Sequence, residues 1–254
     1  MAEHFTRIAS RYGSLRTTDE APIQFIRDAL SGRTSVVAAD IGCGEGRYDL
    51  LLFRFIPNLR LICVDINSDM LAELSQRLTE AGVSDFETRL SSVEDLDLGD
   101  GWLDAVFTFN AVHHFDFPVF LAMAGRATRA GGRIFVYSRT PEQNARTIWG
   151  RFFPEFCERE VRLFTLSEIR RWIDQVDGLA LEETETFRFA RRANLDRLLN
   201  QARSRHYSTF SLYDDAEFQS ATRVFEERIR ACFRDLENVV WRDENVMLVI
   251  GRTV

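Results

Sequence analysis

A chain of 254 residues, 45% hydrophobic and 28% charged, is long enough to bury a sizeable core and fits one elaborated domain. Its formal net charge of −7 argues against a nucleic-acid partner held by bulk electrostatics, and charges interrupt each apolar run before it reaches membrane-spanning length. Every one of its basic residues is arginine, so neither a lysine Schiff base nor a lysine general base is available.

The opening Met1-Ala2-Glu3-His4-Phe5-Thr6-Arg7 lacks the basic-then-apolar order of a secretory leader, and a cytoplasmic location is expected. Cys43, Cys63, Cys157 and Cys232 contain no CxxC pair, and three of them sit in apolar or helical patterns, as buried free thiols do. Adjacent His113 and His114 are expected to point apart, so no metal site is expected.

Apolar strands alternate with helical patterns over the first two-thirds, the order of a parallel sheet with crossover helices. An amphipathic segment runs to Arg11 with Phe5, Ile8 and Ala9 on one face. A helix is expected from near Thr18-Asp19, with Pro22 in its first turn, ending before Gly32. The first strand, Ser35 to Asp40, runs into Gly42-Cys43-Gly44-Glu45-Gly46, and a helix follows from about Tyr48 to Phe55. Next come a strand from Leu59 to Val64 closed by Asp65, a helix from Ser68 to Ala81 stopped by Gly82, and strands at Phe86 to Leu90 and Leu103 to Phe109. Pro118 to Thr128 is a helix, and Gly131-Gly132 turns into a strand from Arg133 to Ser138. The remainder gives helices at Thr140 to Phe156 and Leu166 to Val176, then a strand at Leu179 to Phe189. Helices at Leu195 to Arg205 and Asp214 to Leu236 and a strand at Asn245 to Gly251 close the chain. The last two strands are expected to pair at the sheet edge, with the helices between them capping the strand ends.

Small residues between a strand and a helix let a ligand approach the backbone and the helix N-terminus. Asp65, closing the next strand, can accept both ribose hydroxyls of an adenosine ligand. A dinucleotide loop needs Gly-x-Gly-x-x-Gly, but Arg47 stands at the last position, and Asp40 and Glu45 place acids beside the loop. Acids there suit a ligand carrying an ammonium and a sulfonium.

With those residues in place, Ala39-Asp40-Ile41-Gly42-Cys43-Gly44-Glu45-Gly46 resembles motif I of the class I S-adenosylmethionine-dependent methyltransferases, in the small-molecule and ubiquinone-type branch. Val64-Asp65-Ile66-Asn67-Ser68-Asp69-Met70-Leu71 resembles the acidic motif, Ser91 to Leu96 the segment at the adenine edge, and Leu103 to Phe115 motif IV with its loop. Many relatives carry Asp where this chain has Ser92. The resemblance runs from about Phe5 to Ser138.

It implies an α/β, Rossmann-like, mostly parallel sheet of about seven strands with helices on both faces, an antiparallel C-terminal edge strand and a helical cap. It also implies a single domain over 1–254, divided into cofactor-covering helices (1–31), a cofactor-binding core (32–139) and acceptor-side elements (140–254) with the cap around 190–238. The implied cofactor is S-adenosylmethionine, leaving as S-adenosylhomocysteine. Its implied contacts are Asp40, Gly42, Cys43, Gly44, Gly46, Asp65, Ile66, Met70, Ser92, Val93, Glu94, Asn110 and Val112, with Tyr12 and Arg16 from the segment that folds over the site.

Methyl transfer to an activated donor needs alignment, and a base only when the acceptor must lose a proton. His114 and His113, in the loop after the fourth strand, are the candidates for that base. Arg139, directly after the fifth strand, suits an anionic acceptor, with Glu142 as its alternative partner. The aromatic cluster Trp149, Phe152, Phe153, Phe156 and Phe164 serves either as an acceptor wall or as cap core, and Tyr207 lies in a polar-aromatic break between cap helices. Trp149, Phe153 and Tyr207 are the aromatic candidates for acceptor contacts. These features point to methylation of an O, N or C atom of a small, partly apolar metabolite. An RNA or protein methyltransferase, or a non-catalytic cofactor-binding scaffold, are the alternatives; the absence of Asn/Asp-Pro-Pro-Tyr after the fourth strand weighs against a nucleobase acceptor.

Overall fold

The computed structural model describes residues 17–253. Seven strands form one sheet: β1 (Val36–Ile41), β2 (Leu59–Asp65), β3 (Phe86–Leu90), β4 (Leu103–Phe109), β5 (Thr128–Ser138), β6 (Leu179–Ala193) and β7 (Val239–Arg252). Their order across the sheet is β3-β2-β1-β4-β5-β7-β6. The first five run parallel, and β7 is antiparallel to both its neighbours. Every residue of β4 is buried, the state of a central strand covered on both faces, which is why it reads as a near-continuous apolar run.

In chain order the helices are α1 (Ala21–Ala29), α2 (Arg47–Phe55), α3 (Ser68–Glu80), α4 (Phe117–Ala127), α5 (Pro141–Arg146), α6 (Ile148–Phe152), α7 (Phe156–Arg159), α8 (Leu166–Ile173), α9 (Leu195–Arg203) and α10 (Asp215–Cys232). The period of two along a strand sends alternate residues to opposite layers. Ala38, Leu61 and Cys63 pack under α1, α2 and α3 with Ile26, Leu52 and Leu74, whereas Ala39, Ile62 and Val64 join Phe120, Leu121 and Ile169 of α4 and α8. A third apolar cluster, with Trp149, Phe153, Phe156, Leu198, Phe210 and Phe225, glues the cap together. Full burial of each such side chain contributes about 1.5–3 kcal/mol. No helix among the described residues is long and apolar enough to cross a membrane.

Strand β3, strand β4 and the pairing of the last two strands stand where the sequence puts them. Three differences have physical causes. The segment 140–156 is not one helix, because extended Thr147 ends α5 and starts α6: its hydroxyl donates to the Asn144 carbonyl and accepts the Gly150 N–H. Left-handed Glu155, just after Pro154, then separates α7 from α6. The Gly131-Gly132 turn is absorbed into β5, whose register jumps from Thr128 opposite Leu103 to Arg133 opposite Ala105, so the glycines form a bulge within the strand. Both last strands are longer than their apolar cores suggest, since their pairing continues to Ala193 and Val239 through the charged residues Arg188, Arg191, Arg242 and Asp243.

Candidate active site

The chain order reverses between β1 and β4, and a sheet of this kind opens a crevice beyond its strand ends at that point. There the glycine loop leaves β1, Asp65 ends β2, and Asn110 and Arg139 follow β4 and β5 directly. Two cavities lie at this edge.

The first, of about 250 Å³, is walled by the glycine loop, Asp65-Ile66-Asn67, Met70, Ser91 to Glu94, and Phe109 to Ala111 with His114 and Phe115. Its three glycines have different reasons to be glycine. All have positive φ, but a Cβ on Gly42 would sit 2.5 Å from that of Ala111, and one on Gly46 would sit 2.8 Å from Leu74 Cγ. A Cβ on Gly44 would meet nothing within 4 Å, so Gly44 leaves open space where a ligand can approach the backbone.

Asp65 is held by two backbone donors: the Gly44 N–H gives to Oδ2 and the Asn67 N–H to Oδ1, both at 2.9 Å. A carboxylate has about four acceptor sites, so two remain for the hydroxyls of a sugar. Ile66 is 65% exposed although apolar, and Val93 and Met70 line the same slot, which suits the two faces of a flat ring. The Ser92 hydroxyl gives its proton to Asp95 Oδ2 at 2.9 Å and accepts the Asp95 N–H at 3.2 Å, which leaves its oxygen one lone pair to accept from a ligand in the cavity it lines.

Beneath the loop lies a buried acidic cluster. Burial, reinforced by the charges of Asp49 and Asp65, raises the Asp40 carboxyl well above its usual range, and Asp40 Oδ1 has no hydrogen-bond partner. Burial also pushes Asp49 up to about 7, against the Cys63 thiol that donates to its Oδ1 at 3.5 Å. Asp65 is likewise raised by burial, opposed by its N–H donors from Asn67 and Gly44. Crowded carboxylates with an unpartnered oxygen fit a ligand carrying positive charge.

The second cavity, of about 130 Å³, lies beyond Asn110, between the strand ends and the cap. Its lining is polar: Arg139 and Arg191 from the ends of β5 and β6, Asp243 and Asn245 from β7, and Trp149, Glu160 and Tyr207 from the cap side. Arg191 holds Asp19 by two hydrogen bonds and reaches Asp243 at 3.3 Å. Arg47, Tyr48, Asn110 and His114 line both cavities and so mark where they meet.

Of the predicted cofactor contacts, Gly42, Cys43, Gly44, Asp65, Ile66, Met70, Ser92, Val93, Glu94 and Asn110 face the first cavity. Asp40 lies beneath it, Gly46 packs on Leu74, and Val112 belongs to the core. Tyr12 and Arg16 lie outside the described residues. His113 and His114 do not point apart: their rings are 4.0 Å from centre to centre, and both face the second cavity. Arg139, Trp149 and Tyr207 line that cavity too, whereas Phe152, Phe153 and Phe156 sit in the cap core and Phe164 packs against Phe117 and Trp172. Two of the four cysteines are buried, Cys43 and Cys63. Sequence reasoning missed Tyr48, stacked on Phe109 at 4.5 Å, and the charged group Asp19, Arg191 and Asp243. The aromatic after Arg47 was a readable signal for Tyr48; the three charges are drawn together only by the fold.

Residues 39–136 match the family model described as a methyltransferase domain. Over those residues the chain is similar to methyltransferase domains. A Dictyostelium discoideum protein named as a methyltransferase is 25% identical over 136 residues, covering 54% of this chain and 49% of that protein. The chain spans about half or less of the curated relatives it matches, 35% and 49% of their lengths. A protein of Anabaena variabilis named as a methyltransferase from an antibiotic biosynthesis pathway superposes with a TM-score of 0.67 at 19% identity, over 92% of this chain and 98% of its own. Geranyl diphosphate C-methyltransferase from Streptomyces coelicolor, in complex with Mg²⁺, geranyl diphosphate and S-adenosyl-L-homocysteine, does so at 0.56 and 17%, over 92% and 80%. At these identities the likeness is one of fold, and the matched residues include the glycine loop and Asp65 that wall the first cavity.

Proposed function

We propose that this protein transfers a methyl group from S-adenosylmethionine to an O, N or C atom of a small metabolite. The observation that carries this reading is the meeting of the two cavities at Asn110, His114, Tyr48 and Arg47, one built for an adenosine ligand and the other for a compact polar molecule. The residues of the first cavity fit the cofactor. Asp65 has two acceptor sites left for the ribose, Ile66, Met70 and Val93 flank the adenine, and the Ser92 oxygen can accept from its amino group. The acids beneath the loop favour the cationic amino-acid end, and Gly44 lets that end approach the backbone. Bound there, the cofactor supplies a methyl group already activated on a sulfonium.

The protein's own part is to bind, align and keep water out. Tyr48, stacked on Phe109, walls the junction, and Asn110 holds its amide at the same point. His114 stands where both cavities can be reached, and takes a proton from an oxygen or nitrogen acceptor as it is methylated. The apolar contribution to acceptor binding comes from Trp149 and Tyr207. Residues 1–31, 32–139 and 140–254 would then act as one catalytic unit.

Calorimetric titration with S-adenosylmethionine, S-adenosylhomocysteine and NAD tests the reading. Micromolar binding of the first two, about −8 kcal/mol, with none of NAD is the expected result. Failure of both sulfur ligands to bind would overturn it.

A further inference from the structure

We propose that the methyl acceptor is a carboxylic acid whose carboxylate is anchored by Arg139. This rests on the methyl-transfer reading above and adds the charge class of the substrate.

Arg139 lines the second cavity, yet among the described residues no carboxylate lies within ion-pair distance of it. Its Nη2 donates to Asn245 Oδ1 across a long 3.4 Å, its Nε is buried without an acceptor, and the Tyr207 ring lies 5.8 Å from its guanidinium carbon. The nearby acids each have another partner, and Asp243 supports the Arg139 charge only from beyond ion-pair distance. Glu142, three residues along, is exposed at the first turn of α5. Glu244 takes Arg146 at 2.7 Å and Arg188 at 3.2 Å. Asp243 accepts from Arg191 and from the Trp241 indole, and Glu160 from Arg162 and the Thr209 hydroxyl. Asp19 is held by Arg191. Arginine stays protonated in proteins. Burial opposes the Arg139 charge, but a hydrogen bond to the Tyr207 hydroxyl and the more distant charge of Asp243 outweigh that cost, and its buried Nε is left without an acceptor.

The kind of anion follows from the rest of the lining. Three arginines, Arg47, Arg139 and Arg191, face three carboxylates, Asp19, Glu160 and Asp243. A single planar charge would complete Arg139 with two parallel hydrogen bonds, whereas a phosphate or diphosphate would bring its extra charge against three carboxylates. Asn245 also gives its amide to Asn110, so the anchor and the junction of the cavities form one hydrogen-bonded unit.

The test titrates benzoate, benzamide and phenyl phosphate into protein first saturated with S-adenosylhomocysteine. Benzoate should bind, benzamide should not, and phenyl phosphate should bind more weakly than benzoate. Arg139→Gln should weaken benzoate by about tenfold or more, with S-adenosylhomocysteine affinity and melting temperature unchanged, and Arg139→Lys should retain part of the affinity. Equal benzoate binding in the Gln variant, a preference for phenyl phosphate, or no benzoate binding to the saturated wild type would each overturn the proposal. The comparison of three probes in wild type stands even if the Gln variant folds poorly. Failure of the initial saturation with S-adenosylhomocysteine would instead strike the methyl-transfer reading.

Discussion

The side-chain amide of Asn245 donates to Asn110 Oδ1 at 3.1 Å, so the closing strand of the sheet steadies the residue that stands between the two cavities. Asn110 is also one of few non-glycine residues with positive φ, at 54°, a conformation asparagine tolerates and β-branched residues do not. Its N–H is committed to the Tyr137 carbonyl at 2.7 Å, which holds the backbone there. Asn110→Val should therefore destabilise the protein by about 2 kcal/mol, whereas Asn110→Gly should stay within about 0.5 kcal/mol of wild type. Urea unfolding of the pair decides this, and equal stability would mean that the strand end is not held left-handed.

The glycine loop makes a contrast that separates folding from binding. Gly42→Ala places a methyl group 2.5 Å from Ala111 Cβ, at a backbone φ of 74°, and should cost about 2–3 kcal/mol. Gly44→Ala should cost about 1 kcal/mol, for its φ alone, because nothing lies within 4 Å of the new carbon. Yet that carbon points into free space at the cavity, so Gly44→Ala should weaken S-adenosylhomocysteine more than its small stability loss suggests. Melting curves and calorimetry on both variants give the two readouts; a Gly44→Ala protein that binds as wild type does would place the ligand elsewhere.

Asp65 should separate binding from folding in the opposite way. Its carboxylate already accepts the Gly44 and Asn67 N–H groups, so Asp65→Ala strips the loop of a partner as well as the ribose of its acceptors. Asp65→Asn keeps one acceptor oxygen but turns the other group into a donor facing an N–H. Both should lower S-adenosylhomocysteine affinity, by about tenfold to a hundredfold for the alanine variant, as expected on losing two hydrogen bonds to a charged group. Unchanged affinity in a folded Asp65→Ala protein would remove the ribose assignment.

The parts of this fold legible in the sequence were those set by local chemistry. The alternation of strand and helix through Ser138, the glycine loop and Asp65 each depend on neighbours a few residues away, and the structure reproduces them closely. What escaped notice is non-local. Thr147 breaks a helical pattern through hydrogen bonds that no propensity registers, and the charged residues Arg188 to Arg192 continue a strand because Arg242 and Asp243 lie opposite. The same holds for the second cavity, whose Asp19, Arg191 and Asp243 are separated by most of the chain and meet only when β6 and β7 pair. The phenylalanines of 152–156 read as acceptor wall or, more readily, as cap core, and their packing with Phe210 and Phe225 puts them in the core.

The acidic cluster under the loop predicts a pH dependence of stability. Burial holds Asp49 neutral until about pH 7, against a usual carboxyl value of 3.8. In the unfolded chain it ionises near that usual value, so between the two pH values the folded state binds more protons. A group of this kind contributes its full stability below about pH 4 and loses it progressively as pH rises through about 7. Asp49→Asn cannot ionise and keeps an oxygen to accept from the Cys63 thiol, so its stability should not follow that decline. Measured by urea unfolding from about pH 5 to about pH 8, the difference should tilt toward the variant by on the order of 2 kcal/mol. A difference that stays constant across this range would show that Asp49 is ionised throughout and neutralised by another group.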